Sequence, residues 1–234
     1  MQRAGDGARR ETASGAGRLT SYRTVDAPLG GGVDVELEIK RSRFLTRIRR
    51  VDDEASARAV VEERRAAMHD ARHHCSAFIL GPDGRTGGSS DDGEPGGTAG
   101  MPMFTTLQHN NLTDVVAVVT RYFGGIKLGA GGLVRAYSDA VQQGIEAAGV
   151  REVRLARLLR VDVDYADAGT VENQLRTLQL PSGRPVEVTD VAWGNQAHIT
   201  VGVDAECVDE FHAALQTLSA GSLDAQPAGE RWVG

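Results

Sequence analysis

Residues 121–137, RYFGGIKLGAGGLVRAY, place Arg121, Lys127 and Arg135 with Tyr122 among glycines at 124, 125, 129, 131 and 132. Glycine at this density weakens any regular element, because each one adds backbone entropy that folding must remove. Glycines at a helix start also leave backbone N–H groups unpaired and approachable, and with the positive end of the helix dipole those groups favour an anion. Two readings of Gly124, Gly125, Gly129, Gly131 and Gly132 stay open: a phosphate cradle supported by Arg121, Lys127 and Arg135, or a tight strand-to-helix turn with close packing. The standard nucleotide loops do not fit. The Walker A pattern needs a lysine and a hydroxyl after its last glycine, but Lys127 precedes Gly129. The dinucleotide fingerprint needs a glycine where Val134 stands.

Two other groupings could do chemistry. SSDDGEPGGTAG carries Asp91, Asp92 and Glu94 within four residues. Hard cations use such clusters, but calcium-loop spacing is absent, and a polar turn or pairing with nearby arginines is the preferred reading. HHC at residues 73–75 raises zinc or a thiol nucleophile. Neighbours on a strand point to opposite faces, so His73 and His74 do not share one metal, and Cys75 fits a small buried residue. No spacing identifies a catalytic triad; no catalytic residue, metal site or cofactor is assigned.

Local pattern positions these groups. Val33, Val35, Leu37 and Ile39 alternate with charged residues as in a half-buried strand, and FLTRIRRV continues or pairs with it. Residues 53–69 read as a helix with acids at its start. HHCSAFIL is a strand, followed by twenty residues of glycine-, serine- and aspartate-rich loop. DVVAVVTRYF holds the unbroken apolar run Val115–Val119, which fits a central strand covered on both faces. From Gly131, apolar residues at three- and four-residue spacing predict a helix ending near Gly149. The remainder reads β-α-β-β-α-β, a ferredoxin-like split βαβ unit. The expected division is a disordered tail at 1–20, one domain at 21–152 and a second at 153–234.

Acidic residues outnumber basic ones, leaving a formal net charge of −6, so nucleic acid would have to be held by a local patch. Two cysteines are too few for a disulfide framework, and no apolar run approaches the roughly 20 residues that span a bilayer. The first residues lack the apolar segment of a secretory signal. A cytoplasmic protein without membrane association is expected; oligomeric state stays open.

RYFGGIKLGAGGLVRAY, together with KRSRF at 40–44, DARHHCSAFILG at 70–81 and SSDDGEPGGTAGMPM at 89–103, resembles the YigZ/IMPACT family. The resemblance implies an α+β protein. Its N-terminal domain would be like the second domain of ribosomal protein S5, and its C-terminal domain ferredoxin-like, similar to the last domain of elongation factor G. It implies a non-enzymatic, translation-associated role, with RNA, the ribosome or a protein of translation control as partner. A nucleotide- or phosphate-binding protein using the glycine turn with Mg²⁺ on the acidic loop is the alternative. A structural lock, with Asp91, Asp92 or Glu94 paired to Arg121, is preferred to that alternative.

Overall fold

The computed structural model describes residues 19–234, so most of the expected N-terminal tail lies outside the described residues. The chain is α+β, with two five-stranded sheets and five helices among the described residues.

The first sheet is antiparallel, in the order β2 (Gly32–Ile39), β3 (Ser42–Arg50), β6 (Val115–Tyr122), β4 (His73–Leu80), β5 (Thr86–Ser90). Helices α2 (Gly100–His109) and α3 (Ala130–Ala148) cover one face, over Phe44, Ile48, Cys75, Ala77, Ala117 and Val119. Helix α1 (Glu54–Ala67) covers the other, over Val116 and Val118. β6 is therefore buried on both sides. That is why its sequence is a continuous apolar run rather than an alternation.

Two segments differ from expectation. The glycine- and serine-rich loop after β4 contains β5, an edge strand whose pairing with β4 requires small residues: a Cβ on Gly87 would sit 2.7 Å from the Phe104 ring and 2.8 Å from the Phe78 carbonyl. Residues 100–109, which carry no helical signature, form α2. Its first turn is capped from outside by Asp91, whose carboxylate accepts from the N–H groups of Gly97, Ala99 and Gly100 at 2.7, 3.0 and 2.8 Å.

The second sheet is formed around β7 (Val150–Val163), which follows α3 directly after Gly149. With α4 (Tyr165–Thr177), β8 (Glu187–Trp193), β9 (Ala197–Asp204), α5 (Val208–Leu218) and β10 (Ala225–Val233), it gives the strand order β10-β7-β9-β8, the antiparallel 4-1-3-2 arrangement of a ferredoxin-like unit. Val161, Val163, Ile199, Val201, Phe211 and Leu215 fill its core. The first described strand, β1 (Ser21–Val25), belongs to this sheet, pairing antiparallel with the start of β7. Tyr22 on β1 is buried edge-on against Trp232 of β10 at 5.1 Å. A strand that precedes the first sheet in the chain is thus held on the second. No described helix is long and apolar enough to cross a membrane.

Candidate anion-binding cleft

The turn from β6 to α3 passes over the tip of the β2–β3 hairpin, where Lys40 and Arg41 both have positive φ (48° and 65°), as a two-residue type I′ turn requires. Gly124 lies directly on it: a Cβ there would stand 2.0 Å from the Arg41 carbonyl carbon, and its N–H donates to the Ser42 hydroxyl at 3.2 Å. Gly125 and Gly129 have φ of 87° and 75°, which only glycine adopts without strain. Backbone geometry thus explains these three. Gly131 is in the first turn of α3 with ordinary φ and nothing within 4 Å of its would-be Cβ, and Gly132 meets only the Leu128 side chain, its Cβ at 3.2 Å. α3 begins with no side-chain cap.

Arg121, near the end of β6, sits on the α2/α3 face between its cross-strand neighbours Phe44 and His73. It is 7% exposed. Its guanidinium carbon lies 5.5 Å from the Phe44 ring centre and 5.8 Å from that of Phe123, and Nη1 donates to Glu94 Oε1 at 2.6 Å. The same oxygen accepts from the Tyr137 hydroxyl at 2.8 Å. Behind Tyr137 lies Cys75, with Sγ 3.3 Å from the hydroxyl and 3.0 Å from the Asp91 carbonyl. Burial pushes the Cys75 thiol up to about 12, so it is not a thiolate nucleophile. Burial, followed by the neighbouring Cys75 and Glu94, likewise raises Tyr137 and keeps it a neutral donor.

The three carboxylates of the acidic loop diverge. Positive φ at Asp92 (40°) and Gly93 (85°) reverses the chain between them. Asp91 caps α2; desolvation raises its pKa, but the bonds from Gly97, Gly100 and Ala99 prevail and hold it below the usual carboxylate range. Asp92 accepts from Arg65 at 2.7 Å and from the His74 N–H at 2.6 Å. Glu94 alone turns inward to Arg121. Each carboxylate accepts from internal donors, Glu94 on Oε1 alone, and the described residues hold no group of three or more candidate metal ligands.

Between the acidic loop and the glycine turn opens a cleft of about 540 Å³. Its floor is Arg121, Glu94 and His73; Lys127, Gly129 and Ala130 form one wall, and Tyr122 and Phe123 a rim. Phe123 is 57% exposed, and the Tyr122 hydroxyl donates to Asp70 at 2.7 Å. Among the sequence-derived candidates, Glu94, Arg121, Tyr122, Lys127 and Gly129 meet here, whereas Asp91, Asp92, Gly124, Gly125, Gly131 and Gly132 do not line the cleft. Arg135 does not: Leu133, Ala136, Tyr137 and Ala140 face the core, and helical periodicity leaves Arg135 on the solvent side of α3.

The alternation that denies His73 and His74 a shared metal also separates their surroundings, and His73 lines the cleft. The signal was in the alternation: His73 shares a face with Cys75, Ala77 and Ile79, whereas His74 points to the α1 side. His74 is buried there, its Nδ1 3.0 Å from the Thr120 hydroxyl. Burial foremost holds its pKa below the ordinary value.

Residues 40–145 match the model of the Impact N-terminal domain, and residues 161–222 that of a domain of unknown function, DUF1949. IMPACT family member YvyE of Bacillus subtilis is 44% identical over 189 residues, spanning 81% of this chain and 84% of that protein. IMPACT family member YigZ of Escherichia coli is 38% identical over 193 residues, 82% and 92% of the two chains. A crystal structure described only as that of an hypothetical protein superposes with a TM-score of 0.60 at 35% identity, covering 90% of this chain and 98% of its own. On this likeness along most of its length, the chain belongs to the IMPACT family.

Proposed function

We propose that this protein is a non-enzymatic, translation-associated RNA-binding protein, and that the cleft between the acidic loop and the glycine turn is where RNA is held. The observation that carries the reading is the convergence of an uncapped helix start, Lys127 and the buried Arg121 beside the exposed ring of Phe123. Helix N–H groups and a lysine suit a phosphate, while an exposed aromatic rim suits an unstacked base. The chain's overall negative charge confines such binding to this local patch. The competing picture of Mg²⁺ on the acidic loop is weakened, because Asp91, Asp92 and Glu94 already have internal donors.

Fluorescence anisotropy with a labelled single-stranded RNA, titrated between about 50 and 200 mM salt, tests this. Lys127→Ala should weaken binding and lower the slope of log K against log salt by about 0.7, the share of one phosphate contact on a single strand. Identical affinity and slope for wild type and variant would remove Lys127 from the site.

A further inference from the structure

The cleft presents acceptors as well as donors, at its floor. His73 Nδ1 lies 3.0 Å from the Asp92 carbonyl oxygen, which can only accept, so Nδ1 carries the proton. In the neutral ring Nε2 is then an acceptor, with no partner among the described residues. Glu94 takes both of its bonds on Oε1, from Arg121 and Tyr137, leaving Oε2 without a donor among the described residues. Both residues line the cleft, as does Arg121, whose buried Nε has no hydrogen-bond partner. His73 and Arg121 are directly paired across β4 and β6 on the same sheet face, so a cross-strand spacing of about 5 Å separates their Cβ atoms.

An anion alone would leave the acceptors unmatched and be repelled by the free oxygen of Glu94. A ligand satisfying both halves of the floor carries a hydroxyl next to its phosphate. DNA lacks that donor, and RNA has it at every 2′ position. We infer that His73, backed by Glu94, reads the ribose 2′-hydroxyl of the nucleotide whose phosphate lies against α3 and Arg121. The cleft is thereby selective for RNA over DNA. This rests on the phosphate-binding reading above and adds to it a residue and a discriminating group.

The test uses the full chain and three labelled oligonucleotides of one length: oligouridylate, its 2′-deoxy counterpart and its 2′-O-methyl counterpart. Wild type should bind the ribose form about tenfold more tightly than either of the others, the scale of one lost hydrogen bond to a fixed partner. His73→Phe, and His73→Lys as a second variant that keeps a donor for the Asp92 carbonyl but offers no acceptor, should bind the ribose and deoxy forms alike. Equal wild-type affinity for ribose and deoxy forms, or a tenfold preference persisting in both folded variants, would overturn the hydroxyl reading and leave the phosphate reading standing. Failure of wild type to bind any of the three would overturn both.

Discussion

Ala130→Pro separates the cradle from the helix it begins. Ala130 is the first residue of α3 and lines the cleft, and its N–H donates to no backbone or side-chain acceptor among the described residues. Proline is favoured at this first helical position, since the missing N–H has no partner within the helix and the fixed φ suits the start. Gly129, immediately before it, has ψ of 167°, an extended value compatible with a following proline. The folded state loses no internal bond, while the unfolded chain loses freedom, so stability should be unchanged or rise by about 0.4–1 kcal/mol. For a chain of this size that is a melting temperature unchanged or higher by about 1–4 °C. Binding should move the opposite way. A hydrogen bond from this N–H to a phosphate is charge-assisted, worth about 1.5–3 kcal/mol, so its loss weakens affinity roughly ten- to hundredfold. Thermal melting and RNA anisotropy on the same preparation measure both. A variant that melts at or above wild type and binds RNA with undiminished affinity would refute the reasoning that α3 supplies the anion site.

Arg121→Ala removes one partner of a buried pair and leaves the Glu94 carboxylate with Tyr137 alone. A cost of about 3 kcal/mol or more follows, so the melting temperature should fall by about 6 °C or more; an unchanged value would deny the pair any structural role. Gly124→Ala should prevent folding because of the 2.0 Å approach to Arg41, whereas Gly131→Ala should raise the melting temperature by about 1–4 °C, and equal effects would contradict the placement of the turn. His74 has a folded-state pKa below its ordinary value of about 6.5. The unfolded chain therefore takes up a proton first as pH falls, and the stability His74 gives is complete above that value and lost below it. Melting temperature measured from pH 7.5 to 5.5 should decline less in His74→Gln than in wild type, and parallel curves would assign the decline to other groups.

Much of this architecture was legible in sequence because alternation and apolar runs report burial directly. Val115–Val119 announced a strand covered twice, and the helix closing at Gly149 followed from its spacing. Three elements were not legible. β5 pairs through Gly87 and Gly88, which have no β propensity but fit beside Phe78 and Phe104. α2 contains Pro102 and two threonines and is capped by an aspartate eight residues before its N-cap, so its stability is tertiary rather than local. β1 is five residues long, and its partner strand lies some 130 positions away. At the site, sequence proximity of Asp91, Asp92 and Glu94 concealed three separate roles, because the left-handed residues Asp92 and Gly93 aim them in different directions.

The Arg121–Glu94 pair bears on whether the glycine turn is a lock or a cradle, and the geometry makes these one device. Arg121 is held between Phe44 and Phe123, and its Nη1 is tied to a carboxylate that Tyr137 of α3 also grips. Sheet, acidic loop and α3 are thereby joined at one point. The pair largely cancels its own charge, so in the proposed reading the attraction for an anion comes from Lys127 and the uncapped start of α3 rather than from Arg121 as a mobile cation. Removing Arg121 should therefore shift α3 and the acidic loop together, and lower affinity through lost positioning as well as lost charge. Arg121→Lys separates the two contributions: it keeps the charge but lacks the planar fork that packs between two rings. An affinity loss in Arg121→Lys approaching that of Arg121→Ala would assign the larger share to positioning, and full retention would assign it to charge.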